Sequence, residues 1–231
     1  MRRLLLAAAM ATLSLPSFAE LHGLNATDLV ALARVSEAQL SPDGRCAVYT
    51  LRETDLAADR GRSDLWLISA DGESAPRRLT SSEENDTAGD WAPDGAGIYF
   101  LSARGGSTQV WYLPVAGGEA TQVTHLPLDV ASFRISPRGD RLLLGIEVFA
   151  DCADLDCTRK RLDERKNDKQ HGQGYDQLFV RHWDKWQDGR VSQLIALALD
   201  SEHKASGSPV ALTRSLDADV PSKPFGDRPD Y

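Results

Sequence analysis

The sequence predicts an all-β protein: a partial β-propeller of four-stranded, WD-like blades with a charged insertion in the third blade. Three observations lead there. The tetrapeptide SPDG at 41–44 returns as APDG at 92–95 and as SPRG at 136–139. An alternating strand that carries tryptophan and runs into a glycine turn occurs as DLWLISADG (64–72) and again as QVWYLPVAGG (109–118). Thr80 precedes Ala92 by 92 − 80 = 12 positions, and Thr124 precedes Ser136 by 136 − 124 = 12.

Each tetrapeptide lies between two strand-like runs: VSEAQL and RCAVYTL, TAGDW and AGIYFL, ASFRI and DRLLLGIEV. Proline presets φ at the second turn position, aspartate bonds the local backbone, and glycine accepts a positive φ, so each copy reads as a hairpin turn. Two further strands follow, one with the tryptophan and one ending at threonine. Four strands in about 40–50 residues are the mark of a propeller blade, a small sheet that buries its faces only against its neighbours. Short strands with Gly/Pro turns also suit a β-sandwich, but the equal threonine-to-turn spacing favours the propeller.

In chain order, Arg2 and Arg3 precede an apolar run from Leu4 to Leu15, and Ser17-Phe18-Ala19 supplies small residues at −3 and −1. This is the pattern of a secretory signal peptide over residues 1–19, cleaved near Ala19-Glu20. The run is well short of the roughly 20 apolar residues of a membrane span. A periplasmic or secreted location follows. Residues 20–34 form an N-terminal segment in which Thr27 is placed to cap a short helix through Leu32. The Asn25-Ala26-Thr27 sequon is read as accidental.

Blades one to three occupy residues 35–213, with blade one from about Val35 to Thr80 and blade two from about Thr87 to Thr124. Blade three is expanded: Ser136 to Thr213 is 213 − 136 = 77 positions, against 124 − 92 = 32 from Ala92 to Thr124. The excess is assigned to an insertion at 150–174. Its stretch RKRLDERKNDKQHG (159–172) has few apolar residues to bury and reads as a solvated helix or loop. A charged flap over a binding site is the functional alternative. Residues 214–231 are read as the start of a further blade.

After the insertion, 175–186 and 190–199 are strand-like and meet at Gln187-Asp188-Gly189, so a long hairpin is expected. Arg181, His182, Trp183, Asp184 and Trp186 crowd this hairpin and are the candidate site residues, substrate-side or structural. Trp183 and Trp186 are three positions apart and fall on opposite faces of a plain strand.

Composition narrows function. The chain has 26 Lys+Arg against 34 Asp+Glu, a formal charge of −8. An acidic exported protein without a basic cluster is a poor partner for nucleic acid or an anionic membrane. Of three cysteines, Cys152 and Cys157 bracket CADLDC and are expected to be bridged in an oxidising compartment, with metal ligation alongside His171 as the competing reading. So small a loop contributes only about 2 kcal/mol. Cys46 alternates with Val48 and is expected to be a buried free thiol.

Catalytic motifs are missing from the sequence. GGSTQ at 105–109 and SGSPV at 206–210 both fail the G-x-S-x-G pattern. P-loop, H-E-x-x-H and Rossmann patterns are absent too, and the histidines at 22, 125, 171, 182 and 203 lack metal-ligand spacing. No catalytic residue, metal or cofactor is assigned.

Together, LARVSEAQLSPDGRCAVYTL (32–51), DLWLISADG with the following RRLT, and RHWDKWQDGRVSQL (181–194) resemble the N-terminal propeller of prolyl-oligopeptidase-family serine peptidases, in the dipeptidyl-peptidase 5 and acylaminoacyl-peptidase branch. The resemblance covers essentially all of residues 24–231. It implies a propeller of seven or eight blades that caps a C-terminal α/β-hydrolase domain carrying Ser, Asp and His, and that admits oligopeptides while excluding folded proteins. None of those catalytic residues maps onto this chain. The hydrolase domain is expected beyond Tyr231, and the chain reads as the N-terminal part of a longer enzyme. A stand-alone periplasmic propeller that binds a protein partner is the alternative.

Overall fold

The computed structural model describes residues 23–169, 172, 174–175, 181–182, 185–214 and 216. Ahead of the sheets, α1 (Ala26–Ala31) is capped by Asn25, whose side chain accepts the Asp28 N–H while Asp28 accepts the Asn25 N–H in return. That reciprocal pair satisfies two amides at once. The cap is therefore Asn25, not Thr27, because only Asn25 stands at the boundary with extended φ and a side-chain oxygen aimed at the first turn.

Among the described residues three four-stranded antiparallel sheets follow, the first two simple meanders and the third interrupted by an excursion. Blade one is β1 (Arg34–Leu40), β2 (Cys46–Asp55), β3 (Arg60–Ser69) and β4 (Arg77–Arg78). Blade two is β5 (Asp86–Trp91), β6 (Gly97–Ser102), β7 (Gln109–Pro114) and β8 (Thr121–Gln122). In the third blade β9 (Ser132–Ile135) pairs with β10 (Arg141–Phe149), and an excursion then separates β10 from its next neighbour. The excursion holds α2 (Leu155–Asn167), β11 (Arg181–His182) and β12 (Lys185–Trp186), after which β13 (Arg190–Leu199) and β14 (Ala205–Ala211) complete the sheet in the order β9-β10-β13-β14.

The repeated turn does in each blade what its residues dictate. Gly44, Gly95 and Gly139 take φ of 70, 71 and 72°, and each donates its N–H to the carbonyl three residues back at 2.8 Å. In the first copy the Ser41 hydroxyl donates to Asp43 at 2.6 Å. The third copy has Arg138 at the aspartate position, and there Ser136 donates to Asp140 at 2.7 Å. The serine–aspartate bond survives by moving its acceptor two residues along. In both copies the hydroxyl holds the carboxyl below the usual Asp range.

The repeated threonine closes each blade. Thr80, Thr124 and Thr213 accept the N–H of Leu65, Val110 and Leu194, all at 3.0 Å. Each hydroxyl donates onward, to Asp64 at 3.3 Å, Gln109 at 2.8 Å and Gln193 at 2.7 Å. The side chain thus satisfies a buried third-strand amide where the outer strand leaves the ladder.

Blade two is buried on both faces, and its alternation shows how. Ile98 and Phe100 of β6 face blade one, clustering with Val48, Leu65, Trp91 and Leu113. The intervening Tyr99 and Leu101 face blade three, clustering with Val130, Phe133, Leu142, Leu144 and Ile146. A period of two sends neighbours to opposite faces, so a strand packed on both sides reads as continuously apolar. Each such side chain, removed from water, contributes about 1.5–3 kcal/mol.

Two sequence expectations need correction. Cys46 is free but only half-buried, at the rim of the cluster around Val48. The described residues of 175–186 do not pair with 190–199 as one hairpin. β13 pairs along its length with β10, from Arg141↔Ala198 to Phe149↔Arg190, while among the described residues β11 pairs with β12. Gly189 does supply the expected turn, with φ 84°, but it turns the chain into β13 rather than back along β12. The long apolar ladder to β10 outcompetes a local pairing.

Candidate functional site

β10 starts at the SPRG turn and runs away from it, so the excursion after Phe149 leaves the blade at the end opposite the three turns. Its base is held from both sides. Cys152 and Cys157 are bridged, with Cα atoms 5.5 Å apart, and Asp154 between them caps α2 by accepting the Cys157 N–H at 2.8 Å. Thr158, fully buried, accepts the Phe149 N–H.

Two arginines then fasten the helix to the strand. Arg161 and Arg165 each hold a guanidinium 4.5 Å from the ring centroid of buried Phe149, a cation–π geometry. Arg161 also forks onto Asp151 with two bonds of 2.8 Å, which holds the Asp151 carboxyl below its ordinary range. Arg165 donates to the Asp188 carbonyl at 2.6 Å, tying the helix to the returning chain. Arg190 completes the base by pairing with Asp188 at 2.7 Å and Glu147 at 3.1 Å. The insertion expected at 150–174 thus begins with a charged helix anchored from its first turn, through Thr158, to its last, through Arg165.

Of the predicted site residues, Arg181, His182 and Trp186 lie on β11 and β12, late in this excursion. Arg181 pairs with Trp186 and His182 with Lys185 across β11 and β12. Trp183 and Asp184 lie outside the described residues. The Trp186 side chain is 61% exposed, and its ring lies 6.0 Å from that of Tyr175, tilted by 30°. An exposed indole beside a half-buried tyrosine ring can stack against apolar or planar groups of a ligand. Among the described residues, no group of three His, Cys, Asp or Glu side chains is arranged to hold a metal ion, and no helix is long and apolar enough to cross a membrane.

The sequence reading missed two further clusters. His203, in the β13–β14 turn, reaches across to blade two, where its Nδ1 lies 2.7 Å from the Tyr99 hydroxyl and its ring stacks on Tyr112 at 4.0 Å. Burial pushes both tyrosine hydroxyls up from their ordinary pKa. The second cluster is the latch around Gln109, whose amide nitrogen donates to the Leu126 and Leu128 carbonyls while its oxygen accepts the Leu126 N–H. Gln193 repeats this with the Leu216 carbonyl. Aligning DLWL, QVWY and QLIA would have revealed the polar residue that directly precedes the threonine-bonded amide in each third strand.

Repeated four-stranded meanders packed face to face define the class of this protein, a β-propeller domain. More narrowly, the chain belongs to the TolB beta propeller domain family, which matches residues 27–158. It is similar to Dipeptidyl-peptidase 5 of Porphyromonas gingivalis, with 31% identity over 170 residues that take in 73% of this chain and 24% of that protein. Dipeptidyl-peptidase 5 of Porphyromonas endodontalis is 25% identical over 203 residues, 87% of this chain and 28% of that one. The chain therefore spans 24% to 28% of the length of these relatives. Among solved structures, the acylaminoacyl peptidase of Pyrococcus horikoshii superposes with a TM-score of 0.55 at 12% identity, covering 79% of this chain and 26% of that one. That likeness speaks to fold alone. The matches place the chain on the N-terminal propeller portion of prolyl-oligopeptidase-family peptidases, as the resemblance implied.

Proposed function

We propose that this propeller is the substrate-gating part of an exported serine exopeptidase that cleaves oligopeptides, of the dipeptidyl- or acylaminoacyl-peptidase type. The observation that carries the reading is the 31% identity to Dipeptidyl-peptidase 5 of Porphyromonas gingivalis over 73% of the chain. On this reading the chemistry belongs to an α/β-hydrolase domain beyond Tyr231, and the propeller limits what reaches it. Residues 1–19 direct export to the periplasm or the medium. The segment with Arg181, His182, Trp183, Asp184 and Trp186 stands on the substrate side, a placement supported by the exposure of Trp186 beside Tyr175.

The test is to read the frame downstream of Tyr231 and assay its whole product on dipeptidyl and acyl-amino-acid chromogenic substrates. A G-x-S-x-G segment and cleavage blocked by a serine-directed inhibitor are the expected results. A stop codon after a closing blade would overturn the reading in favour of a stand-alone periplasmic propeller that binds a protein partner. Membership of the TolB beta propeller domain family supports that second reading.

A further inference from the structure

We propose that the chain parts first along the seam between blade one and blade two, which makes that seam a lateral opening built into the propeller. The two seams differ in what they bury. Between blades one and two, the apolar cluster is Val48, Leu65, Trp91, Ile98, Phe100 and Leu113. Between blades two and three it is far larger, spreading from Tyr99 and Leu101 through Val130 and Phe133 to Leu142, Ile146 and Leu197. Apolar burial is the main favourable contribution to such packing, and the first seam has less of it.

Polar groups fill the difference. Asp64 and Asp86 are almost fully buried at the first seam, paired with Arg78 and Arg104 respectively. Removing such pairs from water offsets most of their attraction. Asp86 Oδ1 is buried without a hydrogen-bond partner among the described residues. Burial pushes the Asp64 carboxyl up despite Arg78, and the neighbouring Asp86 charge adds to the push.

Backbone strain lies along the same seam. The inner strands β1 and β5 each carry a bulge at a non-glycine residue in the left-handed region, Glu37 at φ 56° and Ala88 at φ 55°. Such conformations persist only where their surroundings enforce them. Here the enforcement crosses the seam: Glu37 Oε2 accepts the Ala88 N–H at 2.6 Å and the Thr50 hydroxyl at 2.9 Å. Parting the blades breaks the bond that holds the Ala88 bulge, while Glu37 keeps its bond to Thr50 within blade one. The inner strand of blade three, β9, pairs with β10 without interruption, and the left-handed non-glycine residue at the second seam, His203 at φ 62°, sits in a turn rather than in an inner strand. Direct bonds stitch both seams: the second has the Ala205 N–H to the Val123 carbonyl at 3.0 Å and Tyr99 with His203, and the first has Trp91 Nε1–H to the Gln39 carbonyl at 3.1 Å beside the Glu37–Ala88 bond. What passes through the opening rests on the peptidase reading above, whereas the opening itself does not, and its test uses no peptide.

Equivalent amides mark the two seams. Ser63 N–H donates to Asn85, and Thr108 N–H donates to Asp129, each the link into the next blade. Ala88 and Ala205 are the amides that cross the seams directly. Native-state hydrogen exchange of the whole chain, followed by NMR at rising denaturant, should find Ser63 and Ala88 exchanging at least tenfold faster than Thr108 and Ala205 well below global unfolding. Glu37→Ala should quicken the first pair and leave the second unmoved. The proposal is overturned if the four amides share one opening, if the second pair opens first, or if Glu37→Ala speeds all four alike. The wild-type comparison decides the question even if that variant does not fold.

Discussion

The Tyr99 hydroxyl of blade two lies 2.7 Å from Nδ1 of His203 in blade three, 104 positions away in sequence. The same imidazole stacks on Tyr112 with the two planes 13° apart. A turn residue of one blade thus caps the tyrosine pair of the preceding blade. Removing only the bond, in Tyr99→Phe, should cost about 1 kcal/mol. His203→Ala, which also removes the stacked ring, should lower the thermal midpoint further than Tyr99→Phe. Equal or smaller loss in His203→Ala would show that the stack contributes nothing.

Gly97 tests the same cluster from beneath. A Cβ there would stand 2.3 Å from the Tyr112 ring, and that ring is held in place by His203. Gly97→Ala should therefore destabilise by about 1–3 kcal/mol through overpacking. Combining it with Tyr112→Phe should not rescue stability, because ring carbons as well as the hydroxyl are in the way; chemical denaturation of both variants checks this.

The threonine latch predicts a graded series. Thr124 is fully buried, and Thr124→Val would leave the Val110 N–H and the Gln109 oxygen each short of a partner at nearly unchanged volume. An orphaned buried group costs about 1–3 kcal/mol. Thr213→Val should cost less, since its bonds to Leu194 and Gln193 are only part-buried. Urea midpoints of the two variants give the order directly.

Asp90 carries a pH dependence. Burial raises its carboxyl pKa above 3.8, against the pull of Arg134 3.9 Å away. A raised acid stabilises the fold fully below its unfolded pKa, and that contribution is lost as pH rises through the folded value. Asp90→Asn should then match the wild type near pH 3 and gain on it once the pH exceeds the raised value. Unfolding free energies measured at both ends of that window would refute the account if the variant loses stability at neutral pH.

Much of the architecture was legible because it is written locally. A proline, an aspartate and a glycine within four residues specify a turn wherever they occur, and the turns at 41–44, 92–95 and 136–139 formed with glycine φ values within 2° of one another. The threonine spacing was legible too, although its purpose was not, since the Asp64, Gln109 and Gln193 side chains that receive the hydroxyl lie 15 to 20 positions upstream. The candidate site fared differently. Gln187-Asp188-Gly189 has every local mark of a hairpin turn, yet the partner of β13 is β10, which pairs Phe149 with Arg190 across the whole excursion.

By itself, then, the sequence determined the blades: turn chemistry and period-two patterning act over a few residues and leave little choice. Tertiary structure decided which faces meet and what lies between them. The double burial of β6, the crossing from Glu37 to Ala88, and the seating of His203 on Tyr112 each join residues tens of positions apart. Such pairings have no local signature, because they are stabilised only after the blades have stacked and expelled water from between them.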